Sequence, residues 1–240
     1  MNICVIPARG NSARIKHKNR RLFHGKEIIV YSIETARESG LFDAICVSTD
    51  DPETIQIAKD YSCYVHLRSS AYLCGPDAGT QEVVQDCLSS MTSGEYKYAC
   101  CVYATAPLMT AADLIAGYLE LFRNPCRYVF VDGWYYWGRS EEFLKRPEIT
   151  ADNCKRMSLP RDWVDINFED DWKRAERLYD ATHPVIDGVR MAPGPSWSGT
   201  IEEAIQLAKC SHDYELQNEG HALPEMVHFR CRKCGESLPT

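Results

Sequence analysis

The stretch that most limits what this chain can become is its beginning. Asn2-Ile-Cys-Val-Ile6 is a short apolar run of strand type, and Pro7-Ala-Arg-Gly-Asn-Ser-Ala-Arg-Ile-Lys-His-Lys-Asn19 follows it directly. From Lys26 to Ser39, Ile29, Ile33 and Ala36 recur at helical spacing. The pattern predicts a strand, a basic loop and a helix. Gly10 lets the backbone fold close to a ligand. Arg9, Arg14, Lys16 and Lys18 gather positive charge in a chain of formal net charge -7. Successive loop amides can cradle phosphate oxygens while Arg and Lys neutralise them. The ligand expected is a nucleoside triphosphate. A solvated basic loop after an edge strand fits the same composition. Neither the P-loop pattern G-x-x-x-x-G-K-[ST] nor the dinucleotide pattern G-x-G-x-x-G is present.

The chain continues in alternation. Ala44-Ile-Cys-Val-Ser-Thr-Asp-Asp51 reads as a second strand ending in a polar turn. Asp51 and Pro52 have the order of an N-cap and an N1 proline, and Ile55, Ala58 and Tyr61 share a helical face. Cys63 to Leu67 is a third strand. The order β-α-β-α-β implies a parallel sheet with right-handed crossovers. In such sheets ligands sit outside the carboxyl ends of the strands, where Arg9, Asp50 and Arg68 fall. After a polar loop from Arg68 to Thr80, Val83, Val84, Cys87, Leu88 and Met91 form a helical stripe, so Thr80 reads equally as a nucleotide contact or as the cap of that helix. Tyr98 to Tyr103 is near-continuously apolar, like a strand buried on both faces. Thr110 with Asp113 makes a capping box ahead of the face Leu114, Ile115, Tyr118, Leu119 and Phe122. Arg127 to Val131 is a fifth strand, and Trp172, Ala175 and Tyr179 give a last helix its apolar side.

The basic loop resembles IPARGGSKR-x-P-x-KN, the signature of the sugar-acid cytidylyltransferases, which include the N-acylneuraminate and pseudaminic acid enzymes. Arg9, Gly10, Ser12, Arg14, Lys18 and Asn19 match, Asn11 is a family variant, and Ala13 and Lys16 replace the usual Lys and Pro. Further similarities follow in order: the VSTDD run, the Arg68–Thr80 segment with Asp77, YATAPL around Thr105 as in the pseudaminic branch, YYWGRSEEFL from Tyr135, and Asp165-Ile-Asn-Phe-Glu-Asp-Asp-Trp-Lys-Arg-Ala-Glu176. Together they span roughly residues 2 to 181.

The resemblance implies an α/β fold with a mainly parallel Rossmann-like sheet of the nucleotidyltransferase, glycosyltransferase-A-like type. It implies transfer of CMP from CTP to a small acidic sugar, sialic or pseudaminic acid-like, with release of pyrophosphate. Arg9, Lys18 and Asp165 are then the catalytic set. Arg9, Gly10, Asn11, Ser12, Asn19, Arg68, Thr80 and Thr105 are the nucleotide set, and Asp165 with Asn167 holds magnesium. Two departures stand out. The family has several dozen residues between the fifth strand and YWGR, a projecting arm that serves the dimer and the sugar pocket, whereas only Asp132, Gly133 and Trp134 stand here. The family's D-x-D is here Asp165-Ile166-Asn167, and an amide brings no charge to a hard cation. Both departures, with Ala13, leave open a catalytically weakened nucleotide-binding or scaffold protein that recruits a partner through its tail. The oligomeric state stays open as well.

Composition narrows the alternatives. An apolar content of 45% supplies a core. The acidic balance gives no reason to expect nucleic acid or an anionic membrane as partner. No apolar run approaches the roughly 18 residues of a span, and Arg9 interrupts the first one, so a cytoplasmic location is expected. Of the 12 cysteines, Cys4, Cys46, Cys63, Cys100 and Cys101 lie in strand-like runs and read as buried free thiols. The expected organisation is a nucleotide-binding domain over residues 1–182, a Pro- and Gly-rich linker over 183–199, and a short helix with a zinc-ribbon-like tail over 200–240. In that tail Cys210, His212, Cys231 and Cys234 have the types and spacing of a tetrahedral structural zinc site, with His221 and His228 as alternative ligands. A tail with reduced thiols and no metal is the other reading.

Overall fold

The first apolar run becomes β1 (Asn2–Pro7), and it lies inside a sheet, not at an edge. The reason is visible residue by residue. Ile3 and Val5 enter the core on one face, Cys4 and Ile6 the core on the other, and all four are fully buried. The computed structural model describes residues 1–183 except 13, 92–95, 124–125, 146–148, 151 and 159–161, together with the backbone of 185–186, 189–190, 214–217 and 228–231.

β2 (Ala44–Thr49) runs parallel to β1 on one side, and β3 (Tyr64–Leu67) runs parallel to β2. β4 (Tyr98–Val102) runs parallel to β1 on its other side. β5 (Tyr128–Val131) turns through Asp132-Gly133-Trp134 into β6 (Tyr135–Arg139). β6 is antiparallel to both β4 and β5, and β7 (Cys154–Arg156) is parallel to β5. Among the described residues the sheet order is β3-β2-β1-β4-β6-β5-β7. The fold is therefore α/β and mainly parallel, as expected, with β6 as the reversed strand.

Seven helices are described: α1 (Ile28–Glu38), α2 (Pro52–Asp60), α3 (Ala71–Cys74), α4 (Thr80–Ser90), α5 (Ala111–Arg123), α6 (Ser140–Leu144) and α7 (Glu169–Thr182). Residues of α1, α2 and α5 fill one face of the sheet, and those of α4 and α6 the other. α1 starts two residues later than its periodicity suggests. Lys26–Glu27 pairs with Leu22–Phe23 in a small ribbon, turned by His24 and Gly25 at φ 47° and 86°. Both expected caps form. Asp51 Oδ2 accepts from Thr54 N at 3.1 Å. Asp113 Oδ2 accepts from Thr110 N at 2.7 Å, and Thr110 Oγ1 accepts from Asp113 N at 3.4 Å. Thr80 is not a cap. It is the first helical residue after Gly79, and Glu82 Oε2 accepts the Gly79 N–H at 2.9 Å instead.

The strand cysteines are free thiols, with Cys4, Cys46, Cys100 and Cys101 buried and Cys63 half-buried. Burial pushes the Cys63 thiol up to about 11 and Cys101 to about 12, so these thiols are neutral and unreactive at pH 7. The linker and tail assignments lie largely outside the described residues. Among the described residues no helix is long and apolar enough to cross a membrane.

One buried polar chain ties the carboxyl end of β2 to α4. Ser48 Oγ lies 3.0 Å from His66 Nδ1, and His66 Nε2 lies 3.2 Å from Asp86 Oδ2, which also accepts from Ser69 N at 2.9 Å. Ser48 is fully buried, so the chain braces the fold and offers no nucleophile. Burial lowers the His66 pKa, Asp86 opposes that shift, and Arg68 adds to it. A His whose folded pKa lies below its unfolded value of about 6.5 binds fewer protons in the native state. Its contribution is complete above about pH 6.5 and is lost as pH falls through the folded value. Urea unfolding at pH 7.5 and 5.5 should show a larger loss of stability for the parent than for His66→Gln; equal losses would remove His66 from the account.

Candidate active site

The basic loop is held from three sides. Gly10 N donates to Asp50 Oδ1 at 2.8 Å, Asn19 Nδ2 to the Arg9 carbonyl at 2.9 Å, and Arg9 Nη1 to the Gly75 carbonyl at 3.0 Å. Gly10 has a second reason to be glycine: a Cβ there would stand 2.9 Å from Asp51 Cβ. The close approach thus serves the turn after β2, and the Gly10 amide is already spoken for. Arg20 closes the same turn, pairing with Asp51 at 3.3 Å and Glu53 at 2.6 Å.

The Asp165 segment alternates in burial. Val164 and Ile166 are buried, while Asp165 is exposed and Asn167 half-buried on the other side. That alternation is why an x-D-x-N pattern presents both polar side chains to one space. α7 anchors the segment. Asp171 Oδ2 accepts from Asn167 N at 2.9 Å and from Phe168 N at 2.7 Å, satisfying amides at the helix start. Behind it, Phe23 makes edge contacts with Tyr31, Trp172 and Tyr179. Arg21 lies over Trp172 and makes two 2.7 Å bonds to Glu169. Lys18 then joins loop to segment, its Nζ donating to the Ile166 carbonyl at 2.7 Å. Burial lowers the Lys18 pKa; the charges of Asp165 and Asp171 raise it, and those of Arg14 and Arg9 lower it.

These elements enclose a cavity of about 600 Å³ at the carboxyl ends of β1, β4 and β5. Its cationic and polar lining includes Arg9, Ser12, Arg14, Lys18, Asn19 and Arg68, and Thr80, Tyr103 and Thr105 line it as well. Asp132, Asp165 and Asn167 stand among the remaining lining residues. Every residue expected to be catalytic, and every expected nucleotide contact except Gly10 and Asn11, lines this one cavity. Burial lowers the Arg68 pKa against the opposing charge of Asp50. Thr80 Oγ1 takes a hydrogen bond from Tyr136 OH at 2.9 Å, which fixes the start of α4 against β6. A loop free in solvent after an edge strand would have none of these ties.

Sequence reading passed over Asp132. It follows β5 immediately, at the strand end where this sheet class binds ligands, and that position was the available signal. The turn it opens is tightly fitted. Gly133 has φ +72°, and a Cβ on it would lie 2.4 Å from Asp165 Cβ. Gly133→Ala combines left-handed strain with that collision. It should cost about 2 to 4 kcal/mol of stability and displace Asp165. A melting temperature within a degree of the parent would contradict this packing.

A family model described as Cytidylyltransferase matches residues 3–148. The pseudaminic acid cytidylyltransferase of Campylobacter jejuni serotype O:2 is 30% identical over 226 residues, covering 76% of this chain and 97% of that protein. Two solved structures share the fold. One is a cytidylyltransferase from Leptospira borgpetersenii, at TM-score 0.59 and 14% identity over 87% of this chain and 93% of that one. The other is a CMP:2-keto-3-deoxy-manno-octonic acid synthetase complexed with CTP, at TM-score 0.58 and 12% identity over 75% and 98%.

Proposed function

We infer the reaction from one premise: this chain belongs to the cytidylyltransferase family. It is an enzyme that transfers a cytidylyl group, and its substrates are CTP and an acidic sugar of the sialic or pseudaminic type or a related acceptor. The observation that carries this reading is the single cavity in which the cationic loop faces Asp165 across the strand ends.

An attacking sugar hydroxyl meets the α-phosphorus in line, and pyrophosphate leaves. Such transfers depend on positioning and on neutralising charge. Arg9, Arg14 and Lys18 offset the charge that gathers on the leaving pyrophosphate. Lys18 is set for this by its bond to Ile166, which fixes the ammonium between the loop and Asp165. Ser12 and Asn19 orient the phosphates and ribose, and Arg68, Thr80 and Thr105 bound the nucleotide side. The carboxylate oxygens in the cavity fit a hard divalent cation, magnesium by their chemistry. Such an ion, when bound, polarises the phosphate oxygens. Asp165 is the residue that would hold it. Pyrophosphate release with a panel of sugar acids should be supported by CTP and not by ATP or UTP. Equal release from all three nucleotides would contradict the cytidylyl assignment.

The tail carries a second, structural proposal: one zinc bound by Cys210, His212, Cys231 and Cys234. Cys210, His212 and Cys234 lie outside the described residues, and of Cys231 only the backbone is described. Supporting the reading, the ribbon Tyr214–Gln217 with His228–Cys231 pairs Tyr214 opposite Cys231. In sequence the first ligand pair immediately precedes one strand and C-x-x-C ends the other, the order of a zinc ribbon. Metal analysis of the purified chain should find one zinc, lost in Cys231→Ser with Cys234→Ser. Zinc below stoichiometry in the parent, or kept in full by the double variant, would remove the site.

A further inference from the structure

We propose that Asp132 supplies the second carboxylate for the divalent cation, the role that Asn167 cannot fill by charge. The inference rests on the metal-dependent reading above.

Four observations converge on it. Asp132 directly follows β5 and lines the same cavity as Asp165. Its turn is in direct contact with Asp165, since Gly133 leaves no room for a Cβ between them. That turn is rigid: Trp134 is fully buried, Trp134 N donates to the Val131 carbonyl at 3.2 Å, and Tyr103 N donates to the Trp134 carbonyl at 2.8 Å. Asn167, in turn, aims its donor at Asp165, Nδ2 to Oδ2 at 2.7 Å. It is a positioning residue for that carboxylate and brings no negative charge.

The charge balance points the same way. One carboxylate leaves a dication half-neutralised beside Arg9, Arg14 and Lys18, whereas two neutralise it, and magnesium sites of this kind use one or two carboxylates plus substrate phosphates. Asp132 already carries a cation. Arg156 Nη1 lies 2.6 Å from its Oδ2, with side chains 69% and 43% exposed respectively. An ion pair that exposed is weak, so a divalent ion can displace the guanidinium. The chain thus replaces one member of an i, i+2 pair with a residue from a neighbouring strand end.

Binding of Mn2+ alone, followed by electron paramagnetic resonance of the full chain, tests this without turnover. Asp132→Asn should weaken Mn2+ at least tenfold, and adding Asn167→Asp to that variant should restore most of the loss. Arg156→Ala should tighten Mn2+ severalfold, which keeps the test alive if Asp132→Asn folds poorly. Mn2+ affinity unchanged in both Asp132→Asn and Arg156→Ala, with Asp165→Asn losing the ion, would overturn the role of Asp132 alone. Affinity unchanged in Asp165→Asn as well would overturn the metal reading beneath it.

Discussion

Asp165→Asn should lower kcat/KM by on the order of 10³-fold, about 4 kcal/mol of transition-state stabilisation, while leaving the fold intact. The substitution keeps the size and hydrogen-bonding reach of the side chain and removes only its charge. Asp165 is exposed to the cavity, and its segment is held independently by Ile166, Asp171 and Lys18. Stability should therefore change by less than about 1 kcal/mol, as expected for a polar surface exchange. The loss should appear mainly in kcat, because the charge matters most when the pyrophosphate is leaving. Raising magnesium should recover part of the rate, since a weakened site is refilled by mass action. A variant within threefold of the parent at low magnesium would contradict the role given to this carboxylate.

Lys18→Met should be nearly as severe, with a loss of about 10² to 10³ in kcat/KM, the range for removing one preorganised charge-stabilising donor. Methionine keeps most of the apolar stem, so the readout isolates the ammonium. Two things disappear together: the charge beside the phosphates and the 2.7 Å bond to the Ile166 carbonyl. CTP should bind at least tenfold more weakly by calorimetry, and KM for CTP should rise with the fall in kcat. Lys18→Arg should not restore the rate, because a planar fork cannot reproduce a compact ammonium inside a half-buried niche. CTP affinity equal to the parent's in Lys18→Met would place this residue outside the phosphate site.

Much of this arrangement is legible in the sequence. The β-α-β-α-β order, the caps at Asp51 and Thr110, and the apolar side of α7 each follow from local rules, and each is present. The strand-end positions of Arg9 and Arg68 follow from the alternation of strands and helices, whereas those of Ser12, Lys18, Asn19, Thr105 and Asp165 were expected from the family resemblance, and all seven line the cavity. What stayed hidden depends on tertiary geometry. The direction of β6 is not encoded in Tyr135-Tyr-Trp137, which suits either orientation; the tight turn at Gly133 decides it. Gly10 reads as a ligand-facing glycine, yet Asp50 and Asp51 occupy its amide and its open side. Thr80 had two plausible roles until Glu82 was seen to hold the Gly79 amide. Asp132 was passed over because the contact of its turn with Asp165, through Gly133, arises only in the folded chain.

The most direct test of the account is transfer of label from [α-³²P]CTP to a sugar acid. The purified chain with magnesium should move the α-phosphate from CTP onto a sialic or pseudaminic-type acceptor as a new phosphodiester, with one pyrophosphate released per CMP transferred. Label that stays on CTP with every such acceptor, at enzyme concentrations where CTP is bound, would contradict the assignment.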